Sequence, residues 1–288
     1  MASVISTKSI SPKTSNEDFI ARFKNENSGV TGIIVADGLG SHFLSSKGSE
    51  FCVTELKKLL ENNNEFPLDF NEMFRTVSIA LKLEANKNEA IMQLEDKSNV
   101  LGTTLICIVE YIDKFVVSYV GNGSIWHLRG NFTHFSEQRY LPWSSLNILN
   151  PHTIEENGKE ALYKFFSYEA SDEFVEPTTL EISKDNKLYG DIFIVSTDGL
   201  DSVDHTPVAK DKEGGIWISA EPKMDLLYKK LKSLLKGKSF DLVDITLESF
   251  CNEVIERKLI DDDISLGIII TEQVFKYHMQ LNENNSGQ

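Results

Sequence analysis

The segment VTGIIVADGLGSH, residues 30–42, carries the pattern on which the interpretation of the fold depends. Residues 30–36 are mostly apolar and β-branched, which predicts a strand that is covered on both faces. The strand ends at Asp37-Gly38, a dipeptide that is common in turns. Asp37 is therefore expected at the rim of a sheet, where a buried strand meets a loop.

Two further acidic residues share this local context. Asp198 follows the apolar segment DIFIVST at 191–197, and Asp262 precedes ISLGIII at 264–270. If the three strands are neighbours, three carboxylates meet at one rim, and their repulsion favours the binding of a cation. Oxygen ligands suit magnesium, manganese or calcium better than zinc. An Asp-Gly pair alone is more often a turn than a ligand, so the pattern does not prove that the three meet.

The order of predicted elements indicates an α+β fold. Apolar residues recur with the 3.6-residue period of helices in two segments before the middle of the chain and in two near its end. Between these pairs, short apolar segments separated by turns predict an antiparallel meander. Strands are predicted at 4–6, 19–23, 30–36, 103–111, 115–120, 125–129, 132–136, 191–196 and 264–271, and helices, with Asp69 and Ser239 as caps, at 47–61, 69–95, 223–235 and 240–258. This order predicts a four-layer sandwich of two mostly antiparallel β-sheets flanked by pairs of α-helices.

No repeat and no long linker divides the 288 residues. Residues 1–281 are therefore expected to form a single domain, and residues 282–288 a disordered tail. The segment 141–176 is irregular, with one candidate strand at 162–168.

Charge and cysteine content limit the partners and the compartment. The chain has 44 acidic and 29 basic residues and a net charge of -15, which argues against nucleic acid or an anionic membrane as partner. The acidity is also compatible with solubility alone.

The three cysteines show no CxxC spacing, so neither a disulfide framework nor a zinc site is expected, and a reducing cytoplasm fits best. No apolar run reaches the ~20 residues of a membrane span, and the N-terminus lacks the apolar core of a secretory signal.

Six short motifs stand in an order that resembles one enzyme family. They are Lys13-x-x-Asn16-Glu17-Asp18, Asp37-Gly38-Leu39-Gly40-Ser41-His42, Gly102-Thr103-Thr104, Gly121-Asn122-Gly123-Ser124, Thr197-Asp198-Gly199-Leu200 and Asp262-Asp263-Ile264-Ser265. In that order they resemble the R-x-x-N-E-D, D-G-M-G-G-H, G-T-T, G-D-S-R, S-D-G-L and D-N-I-T motifs of the metal-dependent type 2C Ser/Thr protein phosphatases. The compact D-G-L-G-S-H form resembles bacterial members.

The resemblance implies a cofactor and a mechanism. Two divalent cations, manganese or magnesium, would hold between them a water that attacks phosphorus in line. No phosphoenzyme is implied, so no nucleophilic cysteine is needed, and Cys52 and Cys107 are expected to be buried apolar residues.

The resemblance also implies roles for individual residues. Asp37 would bridge the two ions, and Lys13, in the place of an arginine, would bind the substrate phosphate. Asp37, Lys13 and Asp18 are the implied catalytic residues. The implied metal ligands are Asp37, Gly38 through its carbonyl, Asp198, Asp262, Glu17 and Asp18, the last two directly or through water.

The chain departs from the family pattern at three places. Lys13 keeps the charge of the arginine but loses its bidentate fork, and Lys13 could instead be only a solvated charge. Asn122 and Ser202 replace two carboxylates that bind a third, weaker cation in the family, so that site is expected to be weak or absent. Leu39 stands where eukaryotic members carry a histidine acid; His42 is a candidate proton donor, or a capping or surface residue.

Three functions remain open. The first is a phosphatase that hydrolyses phosphoserine and phosphothreonine in a protein substrate, which could be a partner kinase or its target. The second is a catalytically weak pseudophosphatase that binds phosphoproteins or regulates them. A metal-dependent hydrolase on another fold is the third alternative.

Residues 141–176 fall where the resembled family carries a flap beside the active site. Trp143 and Tyr168 could contact substrate there or fix the loop to the sheet.

Overall fold

The computed structural model describes residues 3–64, 67–130, 144–156, 159–200, 205–210, 215–219, 223–237 and 242–285. Its strands form two five-stranded sheets in which every pairing is antiparallel. The first sheet has the order β1 (Val4–Ile10), β14 (Ile264–Ile270), β11 (Ile192–Ser196), β6 (Ser124–Arg129) and β7 (Ser144–Asn147). The second sheet has the order β10 (Thr178–Ser183), β5 (Lys114–Val120), β4 (Leu105–Glu110), β3 (Thr31–Ala36) and β2 (Phe19–Lys24). Two hairpins lie outside these sheets: β8 (Thr153–Glu156) with β9 (Lys159–Leu162), and β12 (His205–Lys210) with β13 (Gly215–Ser219).

Alternation along the strands explains why both sheets are covered on both faces. In β3, Ile33 and Val35 belong to the core between the sheets, whereas Ile34 and Ala36 pack on the helical side. In β11, Phe193 belongs to the core between the sheets and Ile194 to the helical side. Because neighbouring side chains in a strand point to opposite faces, a continuous apolar run serves two cores at once.

Helices cover the two outer faces. The second sheet packs against α1 (Ser45–Asn62) and α2 (Phe70–Ala85), and the first against α5 (Lys223–Gly237) and α6 (Val243–Glu256). The predicted four-layer sandwich is therefore confirmed. Cys52 and Cys107 are buried in the core between the second sheet and its helices, as expected.

The predicted helix at 69–95 is wrong in its length. Asp69 caps α2 as predicted, through a 3.1 Å hydrogen bond from the backbone N–H of Glu72. The helix ends at Ala85, and a separate turn, α3 (Glu89–Met92), begins after Asn88. The Asn88 side chain accepts from the backbone N–H of Ala90, which starts a new helix instead of continuing the old one.

The predicted meander is also corrected. The strands β4 and β5 form a hairpin, but β6 lies in the other sheet beside β11. Gly121 and Gly123 take φ angles of 104° and 120° between β5 and β6, a backbone path open mainly to glycine. This path carries the chain from one sheet to the other, and the predicted strand at 132–136 lies outside the described residues.

The segment 141–176 is more ordered than its sequence indicates. From residue 144 onward it contains the edge strand β7, the hairpin of β8 and β9, and the short helix α4 (Asp172–Val175). The candidate strand at 162–168 is wrong: β9 ends at Leu162, and Phe166 makes only an isolated bridge to Thr103. Phe166 and Val175 are buried in the core between the second sheet and its helices, so both side chains fix the segment to the core.

A final helix, α7 (Glu272–Asn285), follows β14 and was not predicted. Val274 and Phe275 pack into the core formed with α5 and α6, and this burial stabilises the helix. It continues to Asn285, so the predicted start of a disordered tail at Asn282 is too early.

The predicted cap Ser239 lies outside the described residues, and α6 begins at Val243. Within the described part of the chain, no helix is both long enough and apolar enough to span a membrane.

Candidate active site

The antiparallel register brings the acidic motif residues to one end of the sandwich. Asp37 follows β3, and Asp18 immediately precedes the paired strand β2, in which Phe19 is opposite Ala36. In the other sheet, Asp198 follows β11, and Asp262 precedes β14, whose Leu266 is opposite Ser196. The strand ends therefore meet at a common rim.

A cleft of about 960 Å³ opens at this rim. The predicted site residues that line it are Lys13, Glu17, Asp37, Gly38, His42, Asn122, Asp198 and Asp262. Asp18 is buried beside it, with 6% of its surface exposed. The structure thus brings the predicted residues together, and Ser202 lies outside the described residues.

The backbone of Asp37 is fixed by the Gly102-Thr103-Thr104 motif. The Thr104 hydroxyl accepts from the Asp37 N–H at 3.0 Å. The Asp37 carbonyl accepts from the Thr104 N–H at 2.9 Å and from the Thr103 hydroxyl at 2.8 Å. Three hydrogen bonds on one residue leave its backbone little freedom, so the carboxylate projects from a rigid position.

Asp18 is connected to the first sheet through one hydroxyl. Thr197, directly before Asp198, donates to Asp18 Oδ2 at 2.7 Å and accepts from the Ser265 N–H at 3.0 Å. Both bonds are buried. Thr197 therefore joins the start of β2 to the end of β11 and the start of β14.

Glu17 is held by its main chain and by its side chain. Its carbonyl accepts from the Gly38 N–H at 3.1 Å and from the Ser49 hydroxyl at 2.5 Å. Its Oε1 accepts from the Ser45 hydroxyl at 2.7 Å, and its N–H donates to Asp263 Oδ2 at 2.7 Å. The segment that bears Glu17 and Asp18 is therefore attached to α1, to the turn at Gly38 and to the start of β14.

Burial and mutual repulsion dominate the electrostatics of the cleft. Burial raises the pKa of Asp18 to about 7, against hydrogen bonds from Thr197 and Asp37 that lower it and the charges of Asp263 and Asp198 that raise it further. Burial also raises the pKa of Asp37 well above its usual range, and the charges of Asp18 and Asp198 raise it further. The carboxylates are thus close enough to oppose one another's ionisation, which positive charge in the cleft would relieve.

Two predicted ligands already accept hydrogen bonds from neighbouring side chains. Lys13 Nζ lies 2.5 Å from Asp262 Oδ1, and this bond raises the pKa of Lys13. The amide nitrogen of Asn122 donates to Asp198 Oδ2 at 2.9 Å. In the described ranges, no three Asp, Glu, His or Cys side chains are gathered as a ready ligand group. The oxygen-only donors fit a hard divalent cation in chemistry, and such a cation would have to compete with Lys13 and Asn122 for Asp262 and Asp198.

His42 lies at the edge of the cleft against an aromatic ring. Its imidazole meets the Phe165 ring edge-on at 5.4 Å, and its Nδ1 is buried without a hydrogen bond among the described residues. Burial lowers the pKa of His42, so the ring is mostly neutral near pH 7. A neutral imidazole donates a proton less readily than a charged one, so the role of His42 as proton donor stays a prediction.

The aromatic residues predicted in the flap-like segment divide into two cases. The hydroxyl of Tyr168 donates to Asn86 Oδ1 at 2.8 Å, so Tyr168 fixes the segment to the end of α2. Trp143 lies outside the described residues. Instead, the hairpin of β8 and β9 contributes Thr153, Ala161 and Leu162 to the wall of the cleft.

Three other residues with a role at the site were not singled out by sequence reasoning. Thr197 and Asp263 lie inside quoted motifs but received no role, and Ser45 at the start of α1 lies in none. The signal for Asp263 was its place in a family motif that has asparagine there. Ser45 and Thr197 carry only a hydroxyl, a residue type too common to indicate a site by itself.

Comparisons with known proteins agree with the motif order. A family model described as Protein phosphatase 2C matches residues 6–236. A Streptococcus pyogenes serotype M6 protein of the 2C type is 26% identical over 115 residues, which cover 39% of this chain and 44% of that protein. The chain thus matches less than half of the length of that relative.

Solved structures show the same fold at low identity. The serine/threonine phosphatase of S. agalactiae is 18% identical with a TM-score of 0.62, over 94% of this chain and 100% of that one. Stp1 from Staphylococcus aureus is 15% identical with a TM-score of 0.62, over 94% and 95%. The fold is that of these phosphatases, and the family model covers most of the sequence: the chain belongs to the protein phosphatase 2C family.

Proposed function

We propose that this chain is a protein phosphatase that hydrolyses phosphoserine and phosphothreonine with the help of two divalent cations, manganese or magnesium. One observation supports this most: residues from five of the six motifs line one cleft at the rim of both sheets. The remaining motif, Gly102-Thr103-Thr104, holds the backbone of Asp37 through hydrogen bonds. A phosphorylated protein, which could be a partner kinase or its target, is the proposed substrate, and a cytoplasmic location stays a prediction.

The proposed cation ligands are the oxygen donors of the cleft. Asp37 would be shared by both ions, Glu17, Asp18 and the Gly38 carbonyl would serve one of them, and Asp198 and Asp262 the other. When bound, the ions supply an activated water and offset the negative charge of the phosphoryl group.

The chain itself contributes positioning. The hydrogen bonds on Asp37 and the Thr197 bridge hold Asp37 and Asp18 at fixed positions, so these two residues need little reorganisation when substrate binds. Lys13, half-exposed at the cleft, would bind a phosphate oxygen. Substrate would have to compete with Asp262 for this ammonium group, because the two are already 2.5 Å apart.

A third cation site is proposed to be weak or absent. Asn122 is neutral, and its amide nitrogen already donates to Asp198 Oδ2, so the pair needs no cation to hold it together. A crystal soaked in manganese that shows a well-occupied third ion on Asn122 would contradict this proposal.

A pseudophosphatase is the second candidate. The observations that favour it are the hydrogen bonds from Lys13 and Asn122 to two predicted ligands, and the lack of a gathered ligand group among the residues described. All the core acidic positions are nevertheless present. Turnover therefore decides between the two candidates.

The experiment is manganese-dependent hydrolysis of a phosphothreonine peptide by the wild type and by Asp198→Asn. Removing one core ligand is expected to lower kcat by roughly a hundredfold or more, since the ions supply the chemistry. Asp113→Asn is the matched control and should keep full activity, because Asp113 is exposed between β4 and β5 at the other end of the sandwich. Absence of turnover in folded wild type with excess manganese would favour the pseudophosphatase.

A further inference from the structure

Two adjacent aspartates before β14 have different environments. Asp262 is the residue that matches the ligand position of the family motif, and 59% of its side chain is exposed. Asp263 stands where the resembled D-N-I-T motif has asparagine, and only 4% of it is exposed. A carboxylate therefore occupies a buried position at which the family pattern has a neutral amide.

The contacts of Asp263 use only one of its two oxygens. Oδ2 accepts from the Glu17 N–H at 2.7 Å. Oδ1 is buried and makes no hydrogen bond within the part of the chain that the structure describes. An asparagine would accept the same N–H through its amide oxygen, so the bond to Glu17 does not explain why a charge is present. A buried carboxylate oxygen without a partner is costly, which indicates a partner of another kind.

Asp263 also lies among the proposed cation ligands. It is part of the wall of the cleft, and its bond to the Glu17 N–H places it one peptide away from Asp18. The carbonyl oxygen of Asp263 lies close to Gly199 in the turn after β11. A Cβ added to Gly199 would be only 2.3 Å from this oxygen. Asp263 thus lies between the segment that bears Asp18 and the turn that bears Asp198. The nearby ammonium group of Lys13 hydrogen-bonds to Asp262 rather than to Asp263.

We propose that Oδ1 of Asp263 is an additional ligand for a divalent cation in this cleft, next to Asp18. The inference rests on the proposed function, because it takes the cleft to be a site for hard divalent cations. Asp263 would supply an anionic oxygen where the family motif offers an amide, and a carboxylate is the stronger ligand for manganese or magnesium.

The test is manganese binding by the full chain without substrate, followed through loss of the electron paramagnetic resonance signal of free Mn²⁺. The variant is Asp263→Asn, which keeps an acceptor for the Glu17 N–H and removes the charge. Its Mn²⁺ affinity is expected to fall by about 10- to 100-fold, the range for groups that support a metal site. Asp113→Asn removes an exposed carboxylate at the other end of the sandwich and should leave the affinity within about threefold. Thermal unfolding in EDTA confirms that both variants are folded.

The outcomes separate this inference from the proposed function. Equal Mn²⁺ affinity of wild type and Asp263→Asn would overturn the role of Asp263, whether or not the wild type hydrolyses phosphopeptides. Weaker Mn²⁺ binding by Asp263→Asn, with unchanged binding by Asp113→Asn, supports the role even if no turnover is found. A wild type that binds no Mn²⁺ at millimolar concentration overturns this inference and the cation basis of the proposed function together.

Discussion

At the scale of single residues, Asp18 places a carboxylate, which water would normally stabilise, at a position from which water is largely excluded. Asp18 is almost completely buried, yet it accepts a 2.7 Å hydrogen bond from Thr197. This bond only partly offsets the cost of burial, so the pKa of Asp18 stays high. Such raised pKa values are common at functional sites, where stability is lost in exchange for a reactive arrangement.

The pKa of Asp18 predicts how stability changes with pH when cations are removed. Because its value in the folded chain is about 7 instead of 3.8, the folded state keeps a proton that the unfolded state loses. The proton bound to Asp18 contributes fully to the free energy of unfolding below pH 4. This contribution is lost as the pH rises to 7, by about 1.4 kcal/mol for each pH unit. Urea denaturation in EDTA between pH 4.5 and 7.5 should show this fall in wild type and a weaker fall in Asp18→Asn. An equal pH dependence of the two proteins would contradict the prediction.

Lys13 offers a second test at this scale. Lys13→Met should raise KM for a phosphothreonine peptide by roughly 10- to 100-fold with a smaller change in kcat, because it removes a charged hydrogen-bond donor to the phosphate. Lys13→Arg should restore binding, since a guanidinium group binds phosphate through two N–H groups. Lys8→Met is the control, because Lys8 lies on β1 and pairs with Glu248 outside the cleft. An unchanged KM in Lys13→Met would mean that another residue binds the phosphate.

At the scale of elements, the site depends on the ends of strands rather than on their middles. The hydrogen bonds of β3 with β2 and β4 and of β11 with β14 fix where each strand stops. Short polar contacts then join the two sheets across the rim, above all the bridge from Asp18 through Thr197 to Ser265. The geometry of the cleft is thus as rigid as the pairing of the strands behind it.

Removal of the Thr197 hydroxyl should weaken this connection. Thr197→Val keeps the shape of the side chain but leaves Asp18 without its donor and the Ser265 N–H without its acceptor, both buried. The free energy of unfolding is expected to fall by about 1–3 kcal/mol at acidic and neutral pH. Thr197→Ser retains the hydroxyl, as in the resembled S-D-G-L motif, and should lose less. Equal stability of the two variants in urea would show that the bridge contributes nothing.

At the scale of the whole molecule, the core between the sheets sets the distance between the two halves of the site. Phe193 of β11 and Phe115 of β5 pack with ring centroids 4.5 Å apart in this core. His127 stacks on Phe193 at the same distance and also hydrogen-bonds the buried Asp191. His152 is also buried and accepts a hydrogen bond from the Gly121 N–H.

Truncation of this core should affect stability and activity together. Phe193→Ala is expected to lower the free energy of unfolding by about 3–5 kcal/mol, through lost burial and a cavity between the sheets. Phe174→Ala removes a ring that is 46% exposed on α4 and should change it by about 0.5 kcal/mol or less. Urea denaturation compares them, and a similar cost for both would show that the core between the sheets does not dominate stability.

The sequence by itself determined the elements whose signals are local. The apolar run before Asp37 and its counterparts near Asp198 and Asp262 predicted buried strands, and the order of motifs indicated both the family and the residues of the cleft. These signals survive without a structure because side-chain alternation and turn residues act over a few positions.

Only the tertiary structure decided which groups meet. The strand β6 joins β11 rather than β5, Thr197 connects two sheets, and of two adjacent aspartates it is Asp263 that is buried. Strand pairing depends on packing between residues far apart in sequence, and a step of one residue before a strand turns a side chain to the opposite side. A run of three aspartates at 261–263 is therefore ambiguous as a sequence, and the pairing of β14 with its neighbours decides which carboxylate is exposed and which is buried.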